Sequence, residues 1–271
     1  MSIKGLYTAV SGSMAQNLRL ETVANNLANV NTPGFKKDTQ VFREYLTANE
    51  KPPAVIQVPK VPASIESFYD MQGGDKSYVE SNGSYSDFTQ GGLKSTGNAL
   101  DLAIDGQGFF EVFSPKGVRF SRNGAFSIDG QGQLVTKEGW PVMKRAEPGT
   151  PPNERTIKIP VGSAFTIGEN GEVSVDGQSL GQLSLVELSD RQALHKEGSS
   201  VYTIKPNMNP QITNVANPNL KQGFVETSNV NIVQEMTDMI SATRLFESTQ
   251  KAIQAYDSMA DKLVNVVPRS N

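Results

Sequence analysis

Both ends of the chain carry apolar residues at three- and four-residue steps, the spacing of one face of a helix. Between residues 5 and 35 the only charged residues are Arg19 and Glu21. A helix with one face in water usually carries charged residues on that face. The N-terminal run therefore predicts a helix that is covered on more than one side, which favours assembly over catalysis.

Capping signals give the limits of these two helices. Ser2 is a suitable N-cap for a first helix over about 3–30, and the following Pro33 ends it because proline disfavours a helical residue before it. Asn231 starts a second apolar-periodic run over 232–267. We predict a long helix at each end.

The apolar faces of the two helices are separated by most of the chain. Both faces are buried most simply if the helices pair with each other, in a coiled-coil-like arrangement. The alternative is two separate amphipathic helices that each lie on a central domain. The residues predicted to pack together in the assembled protein are Leu6, Val10, Met14 and Leu18 with Val233, Met236, Ile240, Phe246, Ile253 and Tyr256.

The middle of the chain contains two regions that differ in residue pattern. Residues 36–98 contain several prolines and predict an extended connector, with a flexible linker as the alternative. Residues 99–224 alternate apolar and polar positions around Asp-Gly pairs at 105–106, 129–130 and 176–177, which predict hairpin turns. The predicted fold class is α+β, with a small antiparallel all-β domain inserted between the paired terminal helices of 1–35 and 225–271.

A search for chemistry finds no catalytic constellation. The chain has no cysteine and a single histidine, His195, so a thiol nucleophile and a histidine-clustered metal site are excluded. Asp105 and Asp129 lack the carboxylate spacing of a calcium-binding EF-hand loop and are better explained as turn residues. We predict a protein that is not an enzyme and has no cofactor and no metal site.

Charge and hydropathy exclude two further classes of partner. The net charge is -3 and the pI is about 5.4, which gives no electrostatic reason to expect nucleic acid or an anionic membrane surface. No apolar run is long enough to span a bilayer, so we expect no membrane insertion. The first ten residues lack the apolar core and cleavage site of a secretory signal peptide, so export would need another route.

An asparagine-rich stretch ends the first helix. Capping would not use so many amides, whereas buried amides between subunits can satisfy one another and fix the register of an assembled tube. The residues predicted to act in assembly here are Asn25, Asn26, Asn29, Asn31, Pro33, Gly34 and Phe35.

This stretch, residues 24–36 (ANNLANVNTPGFK), closely resembles the signature of the bacterial flagellar rod and hook family of axial proteins. The resemblance continues, in the same order, at 95–110 (STGNALDLAIDGQGFF), 122–126 (RNGAF) and 222–231 (QGFVETSNVN). These matches cover both ends of the chain and the predicted β domain.

The resemblance implies a non-catalytic axial subunit whose terminal helices line a tube, with the β domain outside. It implies export through the flagellar type III apparatus with an uncleaved N-terminal signal, and a place in the periplasmic rod of the basal body. The implied partners are other rod subunits and the export apparatus.

Within the family, residues 233–247 look most like the proximal rod member. Residues 42–90 lack a Gly-x-Gly-Val run expected of the distal rod member, and 271 residues are too few for a typical hook subunit. We predict a rod subunit that assembles helically and transmits torque from motor to hook, at the proximal level, with the distal rod as the alternative. A soluble β binding module with dimerising helices is the alternative from another class.

Overall fold

The computed structural model describes residues 3–46, 77–147, 149–160, 162–198 and 200–266. Helix α1 is Ile3–Ala28 and helix α2 is Ile232–Val266, with strands between them. The α+β class and a helix at each end are therefore confirmed, together with a β domain. The prolines on which the connector prediction rests, Pro52 to Pro62, lie outside the described residues.

The strands are β1 Asp38–Leu46, β2 Ser77–Ser86, β3 Leu93–Ser95, β4 Leu102–Ile104, β5 Phe109–Ser114, β6 Gly117–Ser121, β7 Ser127–Ile128, β8 Leu134–Val135, β9 Phe165–Ile167, β10 Glu172–Val175, β11 Gln178–Gln182, β12 Leu185–Leu188, β13 Leu194–Lys196, β14 Val201–Ile204, β15 Ile212–Asn214, β16 Leu220–Gln222 and β17 Phe224–Glu226. Short 3-10 turns lie at Pro152–Glu154 and Arg191–Ala193.

The described residues form two compact units. The first contains the described parts of Met1–Ala24, Thr39–Tyr85 and Val233–Asn271, and the second contains Asn25–Asp38 and Ser86–Ile232. The second unit thus includes the last turn of α1 and the first residue of α2. The domain division predicted from the sequence, 1–35 with 225–271, 36–98 and 99–224, stays a prediction.

In the first unit α1 contacts α2 at two well-separated points. A Cβ atom on Gly5 would lie 3.0 Å from the Tyr256 hydroxyl oxygen, and Arg19 Nη2 lies 3.8 Å from Asp238 Oδ1. The residue numbers rise along one helix as they fall along the other, so the helices run antiparallel. Their packing as a coiled coil stays a prediction.

The second unit is built on a six-stranded antiparallel sheet of order β13-β14-β6-β5-β12-β15. Successive residues of a strand point to opposite faces. Phe110 enters the larger apolar cluster, which includes Leu102 and Leu134, while Phe109 enters a smaller one with Phe120 and Tyr202. Strand β5 is therefore buried on both faces and lies at the centre of the unit.

The Asp-Gly turns have different outcomes. Asp176 and Gly177 both have positive φ, 49° and 81°, and join β10 to β11 through a two-residue turn as predicted. Asp129-Gly130 lies in the loop of the β7–β8 hairpin, also as predicted. The prediction is wrong for Asp105-Gly106, because β4 pairs with β16 while β5 pairs with β6 and β12. A turn motif in the sequence does not determine which strands pair with each other.

We expect Phe110→Ala to lower the free energy of unfolding by about 3–5 kcal/mol, since a fully buried ring leaves a cavity. Its ring packs edge-on against Phe126 with centroids 5.1 Å apart. The control is Leu180→Ala on β11, where the side chain is 37% exposed and the loss should stay below about 1 kcal/mol. Urea denaturation followed by circular dichroism measures both, and equal losses would contradict the assignment of the core.

Candidate functional site: a buried ion cluster at the helix junction

Four segments that are distant in sequence meet in the second unit, and three of them overlap one of the conspicuous sequence motifs. They are 34–38 after α1, 87–91, the loop 122–124, and 224–229 before α2. Gly34 N donates to Glu226 O at 2.8 Å, and Asp87 N donates to Lys37 O at 2.8 Å. The chain leaving α1 and the chain approaching α2 are thus hydrogen-bonded to each other.

The Glu226 carboxylate lies at the centre of this junction. Oε1 accepts from Lys36 Nζ at 2.5 Å and from Gly91 N at 2.9 Å, while Oε2 accepts from Arg122 Nη1 at 3.2 Å. The side chains of Lys36, Glu226 and Arg122 are 0%, 1% and 5% exposed. One buried carboxylate therefore faces two buried cations.

Each of the two cations also donates a hydrogen bond to a backbone carbonyl. Lys36 Nζ donates to Thr89 O at 2.7 Å, and Arg122 Nη2 donates to Gly106 O at 2.7 Å. The Arg122 guanidinium also lies over the Phe109 ring, 5.4 Å from its centroid. These contacts partly replace the water that each charge loses on burial.

Burial has the largest effect on the ionisation of this cluster. It lowers the pKa of Lys36 and of Arg122, and the Glu226 carboxylate opposes the change in both. The contribution of Lys36 to the free energy of unfolding therefore rises with pH between its lowered pKa and its ordinary value of 10.5. Burial also raises the pKa of the neighbouring Tyr202 phenol.

A second ion pair continues the junction. Lys196 Nζ donates to Asp38 Oδ2 and to Lys36 O, each at 2.7 Å, and lies 3.7 Å from the centroid of the Phe35 ring. Burial lowers the pKa of Lys196, with Asp38 acting in the opposite direction. Strand β13 thus holds the segment that follows α1.

Two asparagine side chains act as substitutes for backbone pairing. Asn26 Nδ2 donates to Asp38 O at 2.9 Å, and its Oδ1 accepts from Asp38 N at 3.0 Å. Asn229 Oδ1 accepts from Lys37 N at 2.8 Å, and its Nδ2 donates to Asp87 O at 2.8 Å. One amide therefore fixes the end of α1, and the other fixes the segment before α2.

Two glycines allow the backbones at the junction to approach closely. Gly34 has φ +68°, and a Cβ there would lie 2.4 Å from the Arg122 carbonyl carbon. A Cβ on Gly91 would lie 1.9 Å from Thr227 O. Neither position has room for a side chain, which is the physical reason for glycine at both.

The predicted assembly residues fall into three groups. Asn26, Gly34 and Phe35 are buried in this junction, with Pro33 half-buried beside it. Leu6, Asn29, Phe246 and Ile253 are half-buried, and Asn29 Nδ2 donates to Asn25 O at 2.9 Å. The exposed members are Val10, Met14, Leu18, Asn25, Asn31, Val233, Met236, Ile240 and Tyr256. Their role in assembly stays a prediction.

Sequence reasoning gave no role to Glu226, Arg122, Lys36 or Asn229, although each lies in or beside a motif that it singled out. The available signal was a charged or amide residue inside a short motif of apolar and small residues. That signal marks a candidate for burial but does not identify its partner.

A metal-binding cluster and a membrane-spanning helix are both absent from the described part of the chain. Within it, no group of three or more histidine, cysteine or acidic side chains could hold a metal ion. None of the helices described there combines the length and apolarity needed to cross a membrane. The organised feature in the second unit is a junction that holds four segments of the chain together, which is a structural role within the fold.

Comparison with known proteins identifies the family of this chain. Residues 6–36 match the family described as flagella basal body rod protein, 103–175 match the flagellar hook protein FlgE/F/G D1 domain, and 221–266 match the flagellar basal body rod FlgEFG protein C-terminal region. The three matched regions contain Lys36, Arg122 and Glu226 respectively.

Full-length relatives agree with these matches. The flagellar basal-body rod protein FlgG of Bacillus subtilis is 34% identical, over 97% of this chain and 99% of the relative. The rod protein FlgF of Caulobacter vibrioides is 33% identical, over 91% and 90%, and the hook-basal body complex protein FlhO of Bacillus subtilis is 33% identical, over 98% of each. The chain belongs to the family of flagellar basal-body rod proteins, and its role is that of a structural rod subunit.

We expect Gly91→Ala to lower the free energy of unfolding by about 1–3 kcal/mol or more, because the new methyl group would overlap Thr227 O. The matched control is Gly130→Ala, where nothing lies within 4 Å of the added Cβ, and stability should change little. Thermal and urea denaturation of both variants measure the difference. Unchanged stability in Gly91→Ala would contradict the close approach of these backbones.

Proposed function

We propose that this rod subunit polymerises through its terminal helices into a helical shaft that passes torque from motor to hook. Identical subunits that meet head to tail without closing a ring generate a helical filament. The observation that carries the proposal is an uncovered apolar stripe on each helix.

On α1 the stripe consists of Tyr7, Val10, Met14 and Leu18, which are 58%, 38%, 65% and 37% exposed. Their three- and four-residue spacing places them on one face of the helix. At about 100° per residue, that face is opposite the one that carries Gly5, which contacts α2. The low charge of this helix thus corresponds to an apolar face that remains uncovered.

Helix α2 repeats the arrangement. Val233, Met236 and Ile240 are 74%, 51% and 55% exposed and lie on the side opposite Asp238 and Tyr256, which contact α1. Contiguous exposed apolar surface of this kind marks an interaction site. We infer that these two stripes are covered by neighbouring axial subunits, and that the half-buried side of α2 with Phe246 and Ile253 faces the same chain.

Assembly with other rod subunits follows from this arrangement. The same proposal places the chain in the periplasmic part of the basal body, exported through the flagellar type III apparatus. Support for export comes from the resemblance of the N-terminal motif.

The axial level is the finer part of the proposal. Relatives named FlgG and FlgF reach 34% and 33% identity, so identity does not separate them. We propose the proximal rod on the resemblance of residues 233–247, with the distal rod as the alternative. Cryo-electron microscopy of purified basal bodies decides between them, and density for this chain outside the rod would overturn the proposal.

We expect Ile240→Glu to abolish rod assembly and motility while leaving the fold intact, because it places a charge in a stripe that neighbours must bury. The measurements are swimming in soft agar, and circular dichroism with urea denaturation of the purified chain. The control, Ser248→Glu, adds the same charge at an exposed polar position of α2 outside the stripe and should swim normally. Normal swimming of Ile240→Glu would contradict the assembly surface.

A further inference from the structure

We propose that Lys36, Arg122 and Glu226 form a lock that closes only when the segments beside both helices are docked on the β domain. When the lock opens, it opens as a local unit while the apolar core stays folded. The consequence for assembly rests on the proposed rod function, whereas the lock itself does not.

The charge balance of the cluster depends on one carboxylate. Glu226 pairs with Lys36 across 190 residues of sequence and with Arg122 across 104. Removing a partner from a buried ion pair leaves an uncompensated charge, which is strongly destabilising. Without Glu226, two cations would remain buried with no carboxylate, so the cation-bearing segments depend on this one residue.

The lock is largely separate from the apolar core. Residues 34–38 and 224–229 belong to neither apolar cluster of the described structure, and 87–91 meets the smaller cluster through Phe88, whose ring lies 5.5 Å from that of Phe109. The junction is held mostly by polar bonds between short segments, of which 87–91 and 122–124 are irregular and 224–229 begins with the three-residue strand β17. Regions of this kind open at lower free energy than apolar cores. The lock can therefore open without unfolding the sheet.

The same region holds the chain at the end of α1 and on the approach to α2. Asn26 binds Asp38 at the end of α1, and Asn229 binds Lys37 on the approach to α2. Gly34 N donates to Glu226 O, so the two approaches share a direct backbone bond as well. Neither approach can be released without removing bonds from the other.

The charge balance, the separation from the core and the shared helix junctions give the lock a function. Glu226 follows Lys36 and Arg122 in the sequence, so a chain made from its N-terminus acquires this carboxylate last of the three. Until Glu226 docks, the segments 34–38 and 87–91 lack the carboxylate that compensates their buried charge and accepts from Gly91 N. The lock thus makes the order of the α1 junction conditional on arrival of the C-terminal segment, so an incompletely folded subunit is unfit for assembly.

The test is amide hydrogen exchange of the full-length chain, unmodified and as Glu226→Gln. We expect exchange in 34–38, 87–91 and 224–229 to become roughly 100-fold faster or more, because two buried cations lose their carboxylate. Amides of the core, such as Leu134 N and Val142 N, should change less than about threefold. The exposed Glu138→Gln serves as the matched control and should change neither region.

A second variant keeps the test decisive if Glu226→Gln fails to fold. Lys36→Met retains a side chain of similar length, and Glu226 keeps Arg122 and Gly91 as partners. We expect faster exchange confined to the same three segments, but by a smaller factor than in Glu226→Gln. Equal acceleration of junction and core in Lys36→Met, or no acceleration at all, would overturn the lock.

A motility assay of Glu226→Gln separates the lock from the rod function. Local opening together with lost rod incorporation supports both steps of the proposal. Local opening with normal swimming overturns the assembly consequence and leaves the rod function standing. If the unmodified chain is absent from the rod, the proposed function fails while the exchange result still decides the lock.

Discussion

The buried carboxylate of Glu226 is the contact on which the junction of the chain depends. It accepts from Lys36, Arg122 and the backbone of Gly91, which come from three separate segments. A carboxylate that is 1% exposed is tolerated only with partners of this kind, so its burial requires the surrounding segments to be in place. Close backbone approach at glycines and amide side chains that imitate backbone pairing complete the same junction.

The terminal helices differ from the junction, because they leave large apolar side chains exposed. In the first unit, small residues such as Ala15 and Ala242 are buried, while larger ones such as Met14 and Val233 remain exposed. A monomer that leaves its larger apolar side chains in water forgoes stability that a neighbouring subunit can supply. The junction is therefore closed within one chain, whereas the exposed helix stripes form the surface that we propose neighbouring subunits cover.

Two Asp-Gly turns and one asparagine contact differ in how well the sequence predicts them. The two-residue turn at Asp176-Gly177 was predictable because its geometry depends on residues adjacent in sequence. The turn at Asp105-Gly106 carried the same signal, but β4 found its partner in β16, more than a hundred residues away. The asparagine-rich stretch was recognised as important, yet Asn26 binds Asp38 within its own chain, a contact that no local pattern specifies.

The sequence by itself determined the two long helices, the β character of the middle and the family. Each of these depends on periodicity, composition or motifs that are local along the chain. Only the tertiary structure decided which face of each helix is covered, and which cations share the Glu226 carboxylate. The apolar period of a helix defines its apolar face but not the element that covers that face. Pairing across 190 residues depends on the tertiary fold.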